Sequence, residues 1–366
     1  MKGCTCLRGF TLIFIATLAV CIVGCGRKQP TEQTAVNRKL PFQVAIDALA
    51  NGEFPPQHSL LIYQNDELAF EKYWSGPDLV YGRPRNREFG PDELHGTRSC
   101  SKSVVSLLVG IAIGEEILPA VDTPAYKLFP DLELDKKPTF TDAHRTITLE
   151  HLLTMRAGLE WRHETNEREL EGSADVASYV WSRPMSDDPP GEKFNYNSGA
   201  TALLSRAIGR AFGKDIEKYA AEKLFAPLGI TKWEWLQDQD HEPAGHFGLR
   251  LRPRDMVKIG RVVLQQGKWD GKQIVPASYI HNLSNHRGRT RKYGYQWWLE
   301  EVRLGEQVAT AIAAHGRGGQ TIFVLPEQNA VAVLTAGHYN DNHAAGAGTT
   351  FLEKKVLPEL MSRGAE

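Results

Sequence analysis

Apolar positions change their rhythm several times along this chain. From Phe10 to Val23 they run almost without interruption, and from Gly26 to about Lys39 the chain is polar and without periodicity. Pro41 to Ala50 then shows helical spacing and stops at Asn51-Gly52, which predicts a first helix. Ser59–Tyr63 and Leu68–Trp74 are rich in apolar and aromatic residues and flank Gln64-Asn65-Asp66-Glu67, a hairpin signal. Three more strand-like runs come late, Gln307–Ala313, Thr321–Leu325 and Ala330–Thr335, the last two divided by the turn Pro326–Asn329. Between these ends, amphipathic stretches at Ser103–Glu115, Leu149–Met155, Ala200–Phe212 and Arg254–Gln266 predict helices, and a final helix is expected over Gly348–Met361. The pattern predicts an α+β fold. Strands from both chain ends meet in one antiparallel sheet, and a mostly helical region from about Ser99 to His286 lies between them.

The chain has 366 residues, 42% hydrophobic and 24% charged, with a formal net charge of −1. That is globular composition with no basic stripe, so nucleic acid is not expected as a partner. No repeat of solenoid period is found. Lys2 and Arg8 precede the first apolar run, which is shorter than a permanent membrane span needs and fits a signal-peptide core. It ends in Ile22-Val23-Gly24-Cys25, which resembles a bacterial lipobox; the resemblance implies cleavage before Cys25 and lipid attachment there. The expected organisation is a lipoprotein signal over 1–24, a flexible tether over 25–39 and one domain over 40–366, exported and membrane-anchored through Cys25. The lipid's chains together would give stable anchoring, and Gly26 after the cysteine points by analogy to an outer membrane where one exists. Of five cysteines, only Cys100 lies beyond that segment, so the body has no disulfide pair to form. The 12 histidines include no His-Glu-x-x-His and the cysteines no Cys-x-x-Cys, so neither metal nor cofactor is expected.

Among the serines, Ser99 alone has a lysine three residues on, Lys102, and it opens a strongly apolar helix. A serine at a helix N-terminus meets unpaired N–H groups and a positive dipole, where a developing oxyanion is stabilised. Residues three apart share a helix face, so the Lys102 amine can reach the Ser99 hydroxyl and accept its proton. Taken alone, the same text also reads as a capping serine and a solvated lysine. Asn195-Tyr196-Asn197-Ser198-Gly199 precedes the next helix; Tyr196 is either a phenol able to shuttle protons or a loop residue beside ordinary caps. His315-Gly316-Arg317-Gly318-Gly319-Gln320 leads into a strand, and its glycines either admit a substrate backbone or make a bulge or tight turn. Cys100, one helical position on, points about 100° away from Ser99 and reads as a small buried residue. Trp161, Tyr293, Trp297 and Trp298 either line an apolar cleft or belong to the core.

In this order the three motifs resemble class C β-lactamases, D-alanyl-D-alanine carboxypeptidases and related esterases. The local texts RSCSKSVVSLLVG, ITLEHLLTMRAGLEW, FNYNSGATALL, YGYQWWL and GRGGQTIFVLP are most similar to the branch of 6-aminohexanoate-dimer (nylon oligomer) hydrolases. The resemblance implies a β-lactamase/transpeptidase-like fold and a serine hydrolase working through an acyl-enzyme, with Ser99, Lys102 and Tyr196 catalytic. It implies an oxyanion hole from the N–H groups of Ser99 and Gln320, and substrate contacts from Ser198, Arg317, Gly318, Gly319 and Trp161. The expected substrate is a small ester, amide or peptide. Two departures bear on it: Ser198 stands where class C β-lactamases have asparagine, and the family's Lys-Thr-Gly maps to Arg317-Gly318-Gly319. That mapping removes a hydroxyl that would hold a β-lactam carboxylate, so weak β-lactamase activity is expected, and Gly318→Thr is expected to raise it. Arg317 either grips an acidic or carbonyl-bearing substrate or pairs internally. The competing expectation is a non-catalytic lipoprotein that keeps the fold to bind cell-wall or peptide ligands.

Overall fold

Strands that alternate between two buried faces carry no polar side of their own, and the runs at both chain ends are of this kind. Leu61, Tyr63, Ile312, Ala314, Ile322, Val324, Val331 and Val333 enter one core, while Leu60, Ile62, Ala311, Ala313, Phe323, Leu325, Ala330 and Ala332 enter a second. One sheet therefore has helices on both sides. The computed structural model describes residues 41–80, 83–285, 293–304, 307–339 and 346–363. The expected signal, tether and Cys25 lie outside the described residues.

The sheet has seven antiparallel strands: β1 (Gln57–Gln64), β2 (Glu67–Tyr73), β3 (Tyr293–Gly294), β4 (Trp297–Leu304), β5 (Gln307–Gly316), β6 (Gln320–Leu325) and β7 (Ala330–Ala336). Their order is β3-β4-β5-β6-β7-β1-β2, so the N-terminal hairpin docks on the last strand, with Leu61 opposite Val333. The expectation that both ends share one sheet holds. The pair β3 and β4 was not foreseen; neither was a small sheet in which His95–Gly96 and Trp233–Trp235 flank Leu249–Leu251.

Five helices matter for the site or the sheet: α1 (Gln43–Ala50), α2 (Cys100–Gly114), α3 (His163–Glu171), α4 (Ser198–Phe212) and α5 (Pro253–Leu264). In α2 every residue from Cys100 to Ala112 is buried. A helix apolar all round belongs at the centre of a molecule, and α2 packs between the sheet and α4. On the same side α5 lies across β6, β7 and β1. The opposite face is covered by α1 and by helical turns over 347–363, with a π-type turn at Leu352–Val356 where one helix was expected. No helix among the described residues is long and apolar enough to cross a membrane.

Candidate active site

Ser99 is the residue before α2, and its side chain makes no capping bond. The hydroxyl is instead met by Lys102 Nζ at 3.2 Å, so the capping reading of this serine does not hold. Neither does the solvated-lysine reading: Lys102 is 2% exposed and also donates to the His246 carbonyl at 2.7 Å. The start of α2 is fastened from behind. Thr97 Oγ1 meets Ser101 Oγ at 2.9 Å and donates to the Leu249 carbonyl at 2.8 Å, while Leu249 N donates to Ser101 Oγ at 3.2 Å. Arg98 carries φ 51 to make the turn into the helix. Cys100 is buried and faces the sheet, its thiol 3.7 Å from the Gln320 carbonyl, as a small core residue should.

Tyr196 comes from the loop before α4. Asn195 N bonds the Met155 carbonyl at 2.9 Å, Asn195 Nδ2 the Trp161 carbonyl at 3.2 Å, and Asn197 Oδ1 accepts from Ala200 N at 3.1 Å. Asn197 is thus the helix cap, which leaves the tyrosine between two anchored asparagines free for another task. Lys102 Nζ lies 5.2 Å from the Tyr196 ring centroid. Trp298 stacks on that ring at 6.0 Å and 16°, and His163 meets it edge-on at 5.7 Å. Among the described residues the Tyr196 hydroxyl has no hydrogen-bond partner, so its polar capacity is unused while its ring lies over Lys102 Nζ.

The remaining candidates are redistributed. Trp298 is half-buried at the cleft, whereas Trp297 and Tyr293 are core residues. Trp161, expected to touch substrate, is 6% exposed; its ring packs against Gly199 and its Nε1 donates to Glu167, so it supports the site from beneath. Ser198 is buried at the first position of α4. The expected oxyanion donor Gln320 is wholly buried. Its side chain donates to the carbonyls of Ala336 (2.7 Å) and Arg317 (3.3 Å) and accepts from Ala336 N, stitching β6 to β7. The hairpin turn between β5 and β6 occupies 317–319, so Gln320 is the first residue of an interior strand and is paired with Gly316.

The close approach occurs one step earlier, at Gly316. A Cβ there would overlap the Thr97 carbonyl and lie 3.1 Å from Arg98 Cβ. The end of β5 therefore lies against the turn that precedes Ser99, and only glycine fits. Gly318 and Gly319, with φ 90 and 97, form the turn itself. The Gly316 carbonyl accepts from Gly319 N at 3.2 Å and so points into the hairpin. In a trans peptide the Arg317 N–H then points the opposite way, along the edge of β5 that β4 leaves unpaired beyond Ala313. Arg317 itself is exposed, its Nε donating to the Tyr339 carbonyl at 3.0 Å.

Sequence reasoning passed over Glu167 and His246. Glu167 sits in a helix charged on most sides, which reads as a solvated surface, and His246 in a loop with no motif. Burial pushes the Glu167 carboxyl up, but hydrogen bonds from His163 and Ser198 and the charge on Lys102 outweigh it and hold the group at about 2. His246 is held neutral, lowered to about 3 by burial and by Lys102. Among the described residues no group of histidine, cysteine, aspartate and glutamate could hold a metal ion.

With the geometry in place, likeness to known proteins can be weighed. A sequence model of the Beta-lactamase family matches residues 56–352. A 6-aminohexanoate-dimer hydrolase of Paenarthrobacter ureafaciens is 22% identical over 350 residues, covering 84% of this chain and 82% of that protein. Among solved structures, a candidate 6-aminohexanoate-dimer hydrolase from Bacillus anthracis superposes with a TM-score of 0.69 at 19% identity, covering 87% of this chain and 82% of the other. Simvastatin synthase from Aspergillus terreus does so with 0.66 at 15% identity, covering 89% and 98%.

Proposed function

The chain belongs to the Beta-lactamase family of serine hydrolases, and from that premise we propose that it cleaves an ester or a linear amide through an acyl-enzyme on Ser99. The observation that carries this reading is the buried Lys102 amine 3.2 Å from an uncapped Ser99 hydroxyl, at the N-terminus of the central helix and beneath the Tyr196 ring. Lys102 and Tyr196 take the serine proton as Oγ adds to the carbonyl carbon. The oxyanion is held by the N–H groups of Ser99 and, in place of Gln320, of Arg317. The leaving alcohol or amine collects its proton from Tyr196, and water then attacks the acyl carbon and releases the acid.

Substrate preference follows from groups beside the reacting carbonyl. If the family's close-packed glycine is Gly316, its lysine and threonine fall on Ala314 and His315. Ala314 is buried in the core and offers no charge. His315 is turned toward Glu300 at 3.0 Å and Thr321 at 3.3 Å and is committed there. Neither supplies a hydroxyl for a β-lactam carboxylate, so linear esters and amides are the favoured class and β-lactams poor substrates. A panel of p-nitrophenyl esters, D-amino-acid amides, linear ω-amino-acid dimers and nitrocefin tests this. Turnover of esters or amides should exceed that of nitrocefin by at least about tenfold and fall about a thousandfold in Ser99→Ala. Nitrocefin as the best substrate, or Ser99→Ala as active as wild type, would refute it.

The same proposal places the enzyme on an extracytoplasmic membrane surface through a lipid on Cys25, supported by the lipobox-like sequence. Cys25→Ala should move the protein from the membrane to the soluble fraction. Unchanged fractionation with no lipid mass on the wild type would contradict it.

A further inference from the structure

One carboxylate oxygen next to the cleft gathers three donors from three places in the chain. Glu167 Oε1 lies 3.2 Å from Trp161 Nε1, 3.2 Å from His163 Nδ1 and 3.3 Å from Ser198 N. Each donor bears on Tyr196. His163 packs edge-on against the tyrosine ring, Ser198 is two residues beyond it, and Trp161 lies under Gly199 while its carbonyl holds Asn195. The Glu167 side chain is 17% exposed, and a carboxylate is kept there only because it is well bonded.

We propose that Glu167 is a positioning residue for acyl transfer, fixing the Tyr196 loop from both flanks and setting its negative charge beside Lys102. The inference rests on the acyl-transfer reading and adds a residue to it. Positioning follows from the geometry: with the flanks held, the Tyr196 ring keeps its contacts with Lys102 Nζ and with Trp298. The charge is a separate feature of the site. The charged and titratable groups around Lys102 are Glu167 and Glu171 from α3, Tyr196 from the loop before α4, His246 from the segment ahead of Leu249, and Cys100 on α2 itself. Burial raises the Glu167 carboxyl, but hydrogen bonds and the charge on Lys102 outweigh it and keep it ionised, so an anion stands among these groups.

Two variants separate the effects. Glu167→Gln keeps a carbonyl oxygen where Oε1 stands and removes the charge, whereas Glu167→Ala removes both. With a small neutral ester such as p-nitrophenyl acetate, Glu167→Ala should lower kcat at least about thirtyfold with KM within about threefold of wild type. Glu167→Gln should retain most of kcat, since its carbonyl oxygen still accepts from Trp161 and Ser198. The carbon-13 ζ resonance of Tyr196, assigned by its loss in Tyr196→Phe, should shift and broaden in Glu167→Ala and persist in Glu167→Gln. Kinetics of both variants within twofold of wild type, an effect on KM alone, or equal losses in both would overturn the proposal. The resonance readout needs no turnover. Ester cleavage that survives Ser99→Ala would count against the serine reading, while an unmoved Tyr196 resonance in Glu167→Ala would count against Glu167.

Discussion

At the scale of single residues, the meeting of Ser99, Lys102 and Tyr196 was legible because it is written as short spacings: three residues on a helix, and an aromatic just ahead of a cap. The groups that serve them were not legible. Glu167 touches Trp161, His163 and Ser198, and only the first two are near it in sequence. The glycines show the limit most clearly. Three of them stand within four residues, and sequence alone does not say which one meets another backbone and which ones turn the chain; the structure gives the first task to Gly316 and the second to Gly318 and Gly319. The geometry argues against the expectation that Gly318→Thr would raise β-lactam turnover. Gly318 has φ 90, where a β-branched residue is strained, and a Cβ there would lie 2.5 Å from the Tyr339 ring. Gly318→Thr should cost about 2–4 kcal/mol of stability and leave nitrocefin turnover no higher than in wild type. Thermal melting and a nitrocefin assay check both, and a stable variant with raised turnover would show the turn has been misread.

Among elements, the strands at the two chain ends and the four interior helices appear within a few residues of where periodicity puts them, because each buries apolar residues at a regular interval. The hairpin of β3 and β4 was missed for a physical reason. Its two-residue turn is Tyr295-Gln296, with φ 40 and 66, where such turns ordinarily take asparagine or glycine. Tertiary bonds support the strained backbone: Gln296 N and Nε2 donate to the Leu153 and Leu152 carbonyls, its Oε1 accepts from Thr201, and its carbonyl accepts from Ser103. No local signal announces such a turn. The cost is accepted at a place that matters, since this hairpin carries Trp298 to the face of Tyr196 and is tied to both α2 and α4, the helices that present Ser99 and follow Tyr196.

For the whole molecule, the buried histidines make a definite statement about pH. His95 Nδ1 lies 3.2 Å from the Gly96 carbonyl and so carries a proton, which leaves its Nε2 to accept from His58 Nδ1 at 2.9 Å; the position open to a further proton is the buried His58 Nε2. Burial is the main cause that lowers His58 to about 3, His95 to about 4 and His246 to about 3. The unfolded chain takes up these protons near pH 6.5 and the native state does not until far lower. Stability is therefore full above pH 6.5 and falls as pH drops toward 4, by on the order of 1.4 kcal/mol per pH unit for each histidine. Asp238, which burial raises to about 6, acts in the opposite sense, as do the raised carboxyls of Glu171 and Glu353, while His151, also lowered by burial, adds to the histidines. The melting temperature should fall by at least about 5 °C between pH 6.5 and 5. A level or rising melting temperature over that range would mean these histidines are not buried as neutral groups.

The central claim is that Ser99 is acylated and that Lys102 and Tyr196 serve that step, and its most direct measurement is the intact mass of the protein after mixing with a fluorophosphonate or a slowly turned-over ester. Wild type should gain one adduct mass per chain, mapped by peptide sequencing to Ser99, with the rate of labelling reduced at least about a hundredfold in Lys102→Ala and Tyr196→Phe. An adduct mapped to another residue, or labelling undiminished in Ser99→Ala, would contradict the account.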